Sequence, residues 1–359
     1  MDMSEKENPF ILDFGEKPDL YIPRREDEDR IKRTFLAKKP SSHIFLIIGA
    51  RGMGKTVLMS SVTSDIRKED EWIHIDLSSG SDDNEQGETI LKNLYRSLKD
   101  KATVHLPKIN IKASLKFLSA DVELNNDKEE HYCWDEIDKI LVELNKYDKR
   151  VLITIDEVVN SKDMREFATY YQHCRRESLP LFVLMTGLYK NIRALQNNRS
   201  LTFLKRATRV ELSPLSTIRI ASKYQDILGV SERESIKLAN LTGGYSYAFQ
   251  MLGYLLFESE EKELSNAVLK AYKEELFFNS YEKIWEELSN NEREVLRIMA
   301  RDNNDEIAVA DIMKEMNINN DNFTSYRNIL IKSGLAEMSS YGHLRLVLPF
   351  LDEYINLYC

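Results

Sequence analysis

The segment Gly49–Thr56, with the sequence G-A-R-G-M-G-K-T, constrains the fold of this chain more than any other feature. It matches the pattern G-x-x-x-x-G-K-[ST] and lies between a short apolar run, Ile44–Ile48, and a stretch with helical spacing, Val57–Ile66. Glycines let successive backbone N–H groups turn inward around an anion, and the following helix points its positive end at that anion. The sequence therefore predicts a phosphate-binding loop between a strand and a helix.

The chemistry of such a loop points to a nucleoside triphosphate with Mg²⁺. The ammonium group of Lys55 can reach the β- and γ-phosphates, and the hydroxyl of Thr56 can hold Mg²⁺. We therefore predict ATP and Mg²⁺ as cofactors, with ATP and ADP as ligands. The predicted nucleotide-binding residues in the loop are Gly49, Ala50, Arg51, Gly52, Met53, Gly54, Lys55, Thr56 and Val57.

A second motif, V-L-I-T-I-D-E at 151–157, ends an apolar strand in two acids. Asp156 is the predicted Mg²⁺ ligand, and Glu157 is the predicted general base that polarises the attacking water. The next apolar run, Leu181–Met185, ends at Thr186. Two interpretations of Thr186 stay open, because its hydroxyl could lie beside the γ-phosphate or could simply end a strand. The acid pair favours hydrolysis over nucleotide binding alone.

Residues 190–209 carry six basic side chains and no acid. Within this run, Arg206 stands in F-L-K-R-A, shortly before Val210. An arginine supplied by a neighbouring subunit can stabilise charge on a transferring phosphoryl group, so Arg206 is a candidate arginine finger in a homo-oligomer. The alternative, an arginine on a solvated surface, is equally well supported by the sequence.

Short apolar runs that alternate with helical segments predict a parallel sheet covered on both faces. Beyond the first strand, the predicted strands are Trp72–Leu77, Val151–Ile155 and Leu181–Met185, with helices at Glu88–Leu98 and Ser161–Glu177. The fold class is therefore α/β, with a P-loop core.

Ile109–Phe117 alternates strictly between apolar and polar residues, which predicts an inserted, half-solvated strand. Its Lys108, Lys112 and Lys116 fall on one face. A solvated face is the favoured interpretation of these lysines, with contact to a polyanion as the alternative.

From Ser213 onward the pattern is almost wholly helical. Capping boxes start helices at Ser231 and at Ser289, and Tyr247–Phe257 is apolar enough to be a buried helix. Near the end, Val309–Met316 and Asn322–Ser333 are helical, Gly334 is a C-cap, and alternating leucines follow. Three short helices and a hairpin are typical of a winged helix-turn-helix.

Composition limits the remaining function classes. The net charge is −9, so a protein whose whole surface coats nucleic acid is not expected. No apolar run approaches the roughly 20 residues that span a bilayer, and the polar start does not resemble a secretory signal. Three cysteines without a C-x-x-C pair argue against a zinc site or a disulfide framework. We therefore expect a cytoplasmic protein without a membrane partner.

Several further short motifs follow in order: N-P-F at 8–10, R-R-E at 24–26, T-G-L at 186–188, F-L-K-R-A at 203–207, L-S-P-L-S at 212–216 and L-T-G-G-Y at 241–245. With the two motifs above and F-T-S-Y-R-N-I-L-I-K-S-G-L-A at 323–336, they make the chain similar to bacterial AAA+ ATPases related to archaeal origin-recognition initiators and to STAND NTPases. Only the phosphate-binding loop and the acid pair are highly specific.

The resemblance implies four parts, namely a lead-in segment with a short helix (1–40), an AAA+ ATPase core (41–212), a helical lid (213–288) and a winged helix domain (289–359). It also implies that Arg25 lies near the adenine, although a plain surface charge pair is the other interpretation. In one departure, the stretch Gly243–Tyr247 lacks the arginine with which many AAA+ lids touch the γ-phosphate. We therefore expect slow turnover.

Two functions stay open. The first is an ATP-controlled, DNA-associated ATPase acting in replication, transposition or mobile-element maintenance. The second is a STAND-like signalling or defence ATPase whose winged helix contacts protein. Residues 289–359 hold seven basic and eleven acidic residues, which disfavours non-specific DNA affinity. If DNA binds, the candidate contacts are Ser325, Arg327, Asn328, Lys332 and Arg345.

Overall fold

A computed structural model describes residues 7–12, 20–79, 89–105, 126–259, 263–301 and 306–359. The predicted strand at 109–117, with its three lysines, lies outside the described residues. The chain divides into two compact units. We call residues 25–47 and 59–210 the sheet unit, and residues 1–24, 48–58 and 211–359 the helical unit. The predicted four-part division is finer than this and stays a prediction.

The sheet unit is built on a five-stranded sheet in the order β2-β3-β4-β1-β5. The strands are β1 (Ile44–Ile48), β2 (Trp72–Leu77), β3 (Arg150–Ile155), β4 (Leu181–Gly187) and β5 (Thr208–Glu211). β2, β3 and β4 are parallel, with Ile153 opposite Ile75 on one side and Val183 on the other. Every residue of β1 and β4 is buried, as expected for strands covered on both faces.

Helices accompany the strands of this sheet. They are α1 (Arg25–Phe35), α2 (Lys55–Ile66), α3 (Ile90–His105), α4 (Asn126–Lys146), α5 (Lys162–Arg176) and α6 (Tyr189–Asn197), with a 3₁₀ stretch at Arg199–Arg206. Ser161 caps α5, because its hydroxyl accepts a hydrogen bond from the Met164 N–H at 3.1 Å. The predicted helix 161–177 is confirmed, whereas α4 and β5 were not predicted.

Most of the helical unit follows β5 in the chain. Its first helices are α7 (Thr217–Leu228), α8 (Glu232–Leu241), α9 (Ser246–Glu258), α10 (Asn266–Leu276) and α11 (Glu282–Glu286), with a single π turn at Phe277–Tyr281. The predicted buried helix at 247–257 is confirmed as α9. The Ser231 hydroxyl accepts from the Glu234 N–H at 3.3 Å, which confirms that cap.

The last part of the helical unit combines short helices with a small sheet. Its elements are α12 (Asn290–Arg301), β6 (Ile307–Ala308), α13 (Val309–Met316), α14 (Asn320–Lys332), β7 (Ala336–Ser340), β8 (His343–Leu346) and α15 (Leu351–Tyr358). The three strands are antiparallel in the order β6-β8-β7. The predicted three helices and hairpin are present, and β6 and α15 were not predicted.

Two predictions about α12 and α14 can be checked in detail. The capping box before α12 is reciprocal, because the Ser289 N–H donates to Glu292 at 2.9 Å while the Glu292 N–H donates to the Ser289 hydroxyl at 3.5 Å. The spacing of Phe323, Tyr326 and Leu330 places them on one face of α14 and predicts that they lie in the core. Phe323 and Leu330 are fully buried, whereas Tyr326 is only half-buried and its hydroxyl accepts a hydrogen bond from Asn291 at 2.7 Å.

Among the described residues, no helix combines the length and the apolar character needed to cross a membrane.

Candidate nucleotide-binding site

The phosphate-binding loop has the backbone geometry that its glycines predict. β1 ends at Ile48 and α2 begins at Lys55, so residues 49–54 form the turn between them. Gly52 and Gly54 have φ values of +75° and +86°, in the left-handed region that side chains disfavour. A Cβ atom on Gly52 would also lie 2.1 Å from the Tyr245 hydroxyl oxygen. Both requirements leave glycine as the residue that fits position 52.

Three successive carbonyl groups of this loop are hydrogen-bonded by the start of α9. The Tyr245 hydroxyl donates to the Arg51 carbonyl at 2.8 Å, and the Tyr247 N–H donates to the Gly52 carbonyl at 3.0 Å. The Ser246 hydroxyl donates to the Met53 carbonyl at 3.0 Å. Carbonyl oxygens repel anions, so engaging them in these bonds favours a loop that presents N–H groups to phosphate.

Tyr245 is the centre of this contact. Its side chain is 1% exposed, and burial raises the pKa of its hydroxyl, which therefore stays protonated and able to donate. The same hydroxyl lies 2.6 Å from the Ser280 hydroxyl. The stretch 243–247, which lacks an arginine, thus contacts the loop directly through the Tyr245 and Ser246 hydroxyls and the Tyr247 N–H.

Lys55 lies against the loop that precedes it. It is 6% exposed, and its ammonium group donates to the carbonyls of Gly49 at 3.1 Å and Ala50 at 2.9 Å. A bound phosphate would offer this ammonium group a stronger, charge-assisted partner than a neutral carbonyl. Thr56 and Val57 follow in the first turn of α2 and are half-buried.

Two arginines stabilise the loop, one outside it and one within it. The Arg24 guanidinium donates to the carbonyls of Met53 at 3.1 Å and Ser213 at 2.6 Å. The Arg51 guanidinium forms a half-buried ion pair with Glu287 at 3.4 Å. Arg25, predicted to lie near the adenine, is exposed at the start of α1. The R-R-E motif contains both Arg24 and Arg25, and the sequence alone does not show that Arg24 is the one that contacts the loop.

In the sheet unit, Thr186 is hydrogen-bonded to both Asp156 and Glu157. The Thr186 side chain is fully buried at the end of β4, and its hydroxyl donates to the Asp156 carboxylate. The Glu157 N–H donates to the same carboxylate and to the Thr186 hydroxyl oxygen, both at 3.0 Å. Thr186 is therefore placed to orient Asp156, a role that neither interpretation from the sequence included.

Glu157 has an unusual backbone for its type. Its φ is +48°, in the left-handed region, and its side chain is exposed. A residue other than glycine in this region is strained by about 1–3 kcal/mol, and such strain persists only where the surroundings impose it. The two hydrogen bonds at the Glu157 N–H supply that constraint.

Thr154, on β3 two residues before Asp156, is the buried centre of a polar chain. The Thr154 hydroxyl donates to Asp76 at 2.5 Å and lies 2.8 Å from His74 Nε2. Because that hydroxyl proton is used on Asp76, His74 Nε2 must be the donor to Thr154. Burial lowers the pKa of His74 to about 4, so the ring is neutral at pH 7. The sequence does not predict this polar chain, because its three residues occupy ordinary strand positions.

Candidate metal ligands are few. Among the residues that the structure describes, no group of three or more His, Cys, Asp or Glu side chains could hold a metal ion. Mg²⁺ bound with a nucleotide takes only one or two protein ligands, and phosphates and waters supply the rest. Thr56 and Asp156 fit that requirement by their chemistry.

The remaining predicted residues lie in separate places. Arg206 is exposed at the end of the 3₁₀ stretch before β5. On α14, Asn328 is exposed, and Ser325 and Arg327 are half-buried. Lys332 was expected to be exposed and is ion-paired with Glu211 at 3.3 Å. The predicted wing residue Arg345 is ion-paired with Glu337 on the neighbouring strand.

Two protein-family models match parts of this chain. The family described as Nephrocystin 3, N-terminal matches residues 28–187, and a domain of unknown function, DUF8462, matches residues 279–355. No curated protein sequence matches the chain.

Solved structures are similar over nearly the whole chain. A Walker-type ATPase of Pyrococcus abyssi is 16% identical with a TM-score of 0.62, covering 96% of this chain and 99% of its own. The ORC2 protein of Aeropyrum pernix, described in ADPNP-ADP complexes, is 14% identical with a TM-score of 0.59, covering 98% and 97%. The chain thus has the predicted fold of the P-loop AAA+ ATPases.

The Tyr245 contact generates a testable prediction. Tyr245→Phe removes the hydroxyl that binds the Arg51 carbonyl, and leaving such buried groups unpaired costs about 1–3 kcal/mol. Hydrogen exchange at the Tyr247 amide should then become roughly tenfold faster or more. The matched control is Tyr224→Phe, which removes an equally buried hydroxyl that donates to the Phe249 carbonyl at 2.7 Å. Equal acceleration in both variants would show that Tyr245 does not restrain the loop specifically.

Proposed function

We propose that this protein is an ATP-binding and slowly hydrolysing ATPase that acts as a nucleotide-controlled switch. The observation that carries the proposal is the loop at 49–56, whose left-handed glycines and externally bonded carbonyls suit a polyphosphate. The AAA+ fold supports the same assignment. Slow turnover is inferred from the lid stretch 243–247, which has no arginine to touch the γ-phosphate.

The proposed roles follow from side-chain chemistry. Lys55 binds the β- and γ-phosphates in exchange for its present carbonyl partners. Thr56 and Asp156 hold Mg²⁺, which supplies charge neutralisation at the phosphates when it is bound. Glu157 removes a proton from the attacking water, and Thr186 keeps the Asp156 carboxylate oriented. Restraint of the loop by residues 245–247 couples the lid to nucleotide occupancy.

Loss of the loop ammonium group tests nucleotide binding. Lys55→Ala should weaken Mg²⁺-ATP binding by about 2–4 kcal/mol, because a charge-assisted contact to phosphate is removed. Isothermal titration calorimetry measures the difference. Lys68→Ala, which removes an exposed lysine shortly after α2, is the control and should bind as the wild type does. Equal ATP affinity in wild type and Lys55→Ala would refute phosphate binding by this loop.

The proposed base is tested by turnover at saturating ATP. Glu157→Gln should retain ATP and lose roughly 10²-fold or more of the phosphate release rate, because the amide cannot accept the proton. Glu177→Gln, at the C-cap of α5, removes an exposed carboxylate and should leave the rate unchanged. Phosphate release by Glu157→Gln at the wild-type rate would mean that another group serves as the base.

Arg206 is proposed to act on ATP bound to a neighbouring copy of the chain. Its exposure at the end of the 3₁₀ stretch supports this role. An arginine supplied between subunits contributes on the order of 10³-fold, so turnover per subunit should rise with protein concentration. Mixing Arg206→Ala with Lys55→Ala should restore part of the activity, whereas Lys205→Ala should resemble the wild type. Absence of rescue, with turnover independent of concentration, would make Arg206 a plain surface residue.

A DNA-associated role is proposed for the C-terminal part. The order helix, strand, two helices and hairpin supports a winged helix, whose α14 would contact a DNA groove.

A protein partner is the second candidate, and it is favoured by the pairing of charges on this surface. The acids Glu211 and Glu337 already neutralise Lys332 and Arg345. The hairpin tip also exposes Tyr341 fully.

Salt-dependent DNA binding discriminates between these two candidates. Full-length, ATP-bound protein should bind duplex DNA in fluorescence anisotropy, and Arg327→Gln should flatten the salt dependence by about one counterion. Lys314→Gln, on the exposed side of α13, is the matched control and should keep the wild-type slope. No binding to DNA even at low salt, with ATP present, would leave the signalling or defence role with a protein partner.

A further inference from the structure

A pocket of about 410 Å³ opens at the amino ends of the strands of the sheet unit. His43 immediately precedes β1, Glu71 precedes β2, Arg150 begins β3 and Pro180 precedes β4, and all four line it. Asp156, Glu157 and Thr186 lie at the opposite, carboxyl ends of β3 and β4. The pocket is therefore separate from these candidate catalytic residues.

Positive charge predominates in this pocket. The lining includes four cationic side chains, Lys38, Lys149, Arg150 and Arg175, against two carboxylates, Glu71 and Asp148, which leaves a net charge of +2. Within the described residues none of the four forms an ion pair. The Lys149 ammonium donates to the Asp70 carbonyl at 2.7 Å, and the Arg175 guanidinium donates to the Leu179 carbonyl at 2.9 Å. Because these partners are neutral, the lining keeps its net positive charge.

The guanidinium of Arg150 is held in place before any ligand arrives. It donates to the carbonyls of Phe35 at 3.0 Å and Ala37 at 3.1 Å. It also lies over the rings of Trp72 and Phe182, at 5.7 Å and 5.9 Å from their centroids. A donor fixed in this way loses little conformational entropy when it binds an anion.

The same positive charges affect the pKa of His43. Its ring stacks on Phe182 with a centroid distance of 4.5 Å. Burial, followed by the charges of Arg175 and Arg150, lowers the pKa of His43 to about 4. The ring is therefore neutral at pH 7 and leaves the net charge of the pocket unchanged.

We propose that this pocket is a second anion site, which binds the phosphate group of a phosphate monoester. A monoester carries a charge of about −1.5 to −2 at pH 7, which matches the net charge of the lining. The volume falls within the roughly 300–1,000 Å³ of small-molecule sites and exceeds what a lone phosphate needs. The ester is a small phosphorylated molecule or the 5′-phosphate end of a nucleic acid strand.

Calorimetry with phenyl phosphate tests the site in the full-length protein, with ADP and Mg²⁺ in excess so that the loop at 49–56 is saturated. The double variant Lys38→Gln, Arg175→Gln should bind phenyl phosphate about tenfold more weakly or worse, because two charged contacts are lost. The matched control is Lys39→Gln, Arg176→Gln, which removes the same charge at adjacent positions that do not line the pocket. The control should bind within about twofold of the wild type.

Benzenesulfonate, which has one charge and the same ring, should bind more weakly than phenyl phosphate. The absence of phenyl phosphate binding to the wild type, or an equal loss in both double variants, would overturn the proposal whether or not ATP binds. In the Lys55→Ala protein, retained phenyl phosphate binding would support two independent sites. Tighter binding of a 5′-phosphorylated than of a 5′-hydroxyl oligonucleotide would identify the strand end as the source, and equal binding would exclude the strand end and leave a small phosphorylated molecule.

Discussion

The hydrogen bonds from residues 245–247 to three successive carbonyls set the shape of the phosphate-binding loop. They explain why position 52 must be glycine, since any side chain there would meet the Tyr245 hydroxyl. They also connect the start of α9 to this loop by hydrogen bonds between uncharged groups. An arginine at positions 243–247 would instead contribute a positive charge there. Any movement of the start of α9 must therefore break these bonds or carry the loop with it.

The acid pair depends on a comparable local constraint within the sheet unit. Thr186 is fully buried and binds Asp156, and together they hold the Glu157 N–H in a conformation that glutamate disfavours. Strain of this kind fixes the direction in which the Glu157 side chain leaves the backbone. A fixed and exposed carboxylate is what a general base for water requires, because proton transfer depends on geometry before it depends on pKa.

The elements predicted from the sequence are those whose signals are local. β1, β3 and β4 are continuous apolar runs, and the capping boxes at Ser231 and Ser289 are four-residue patterns. β5 was missed because T-R-V-E is short and polar, and only its place beside β1 makes it a strand. Tyr245 and Arg24 were missed as loop contacts because each reaches the loop from far away in the chain. Spacing along the sequence carries no information about such contacts.

Two basic regions outside the loop differ in how their charges are paired. On α14 and the hairpin, Lys332 and Arg345 are each opposite a carboxylate, so an anion would have to compete with an acid already in place. In the pocket at the amino ends of the strands, cations converge while the hydrogen bonds of Lys149, Arg150 and Arg175 go to neutral carbonyls. The four cations outnumber the two carboxylates of the lining, and a bound dianion would relieve the repulsion among them. The pocket therefore gains more from a phosphate group than the C-terminal surface does, although both have basic residues.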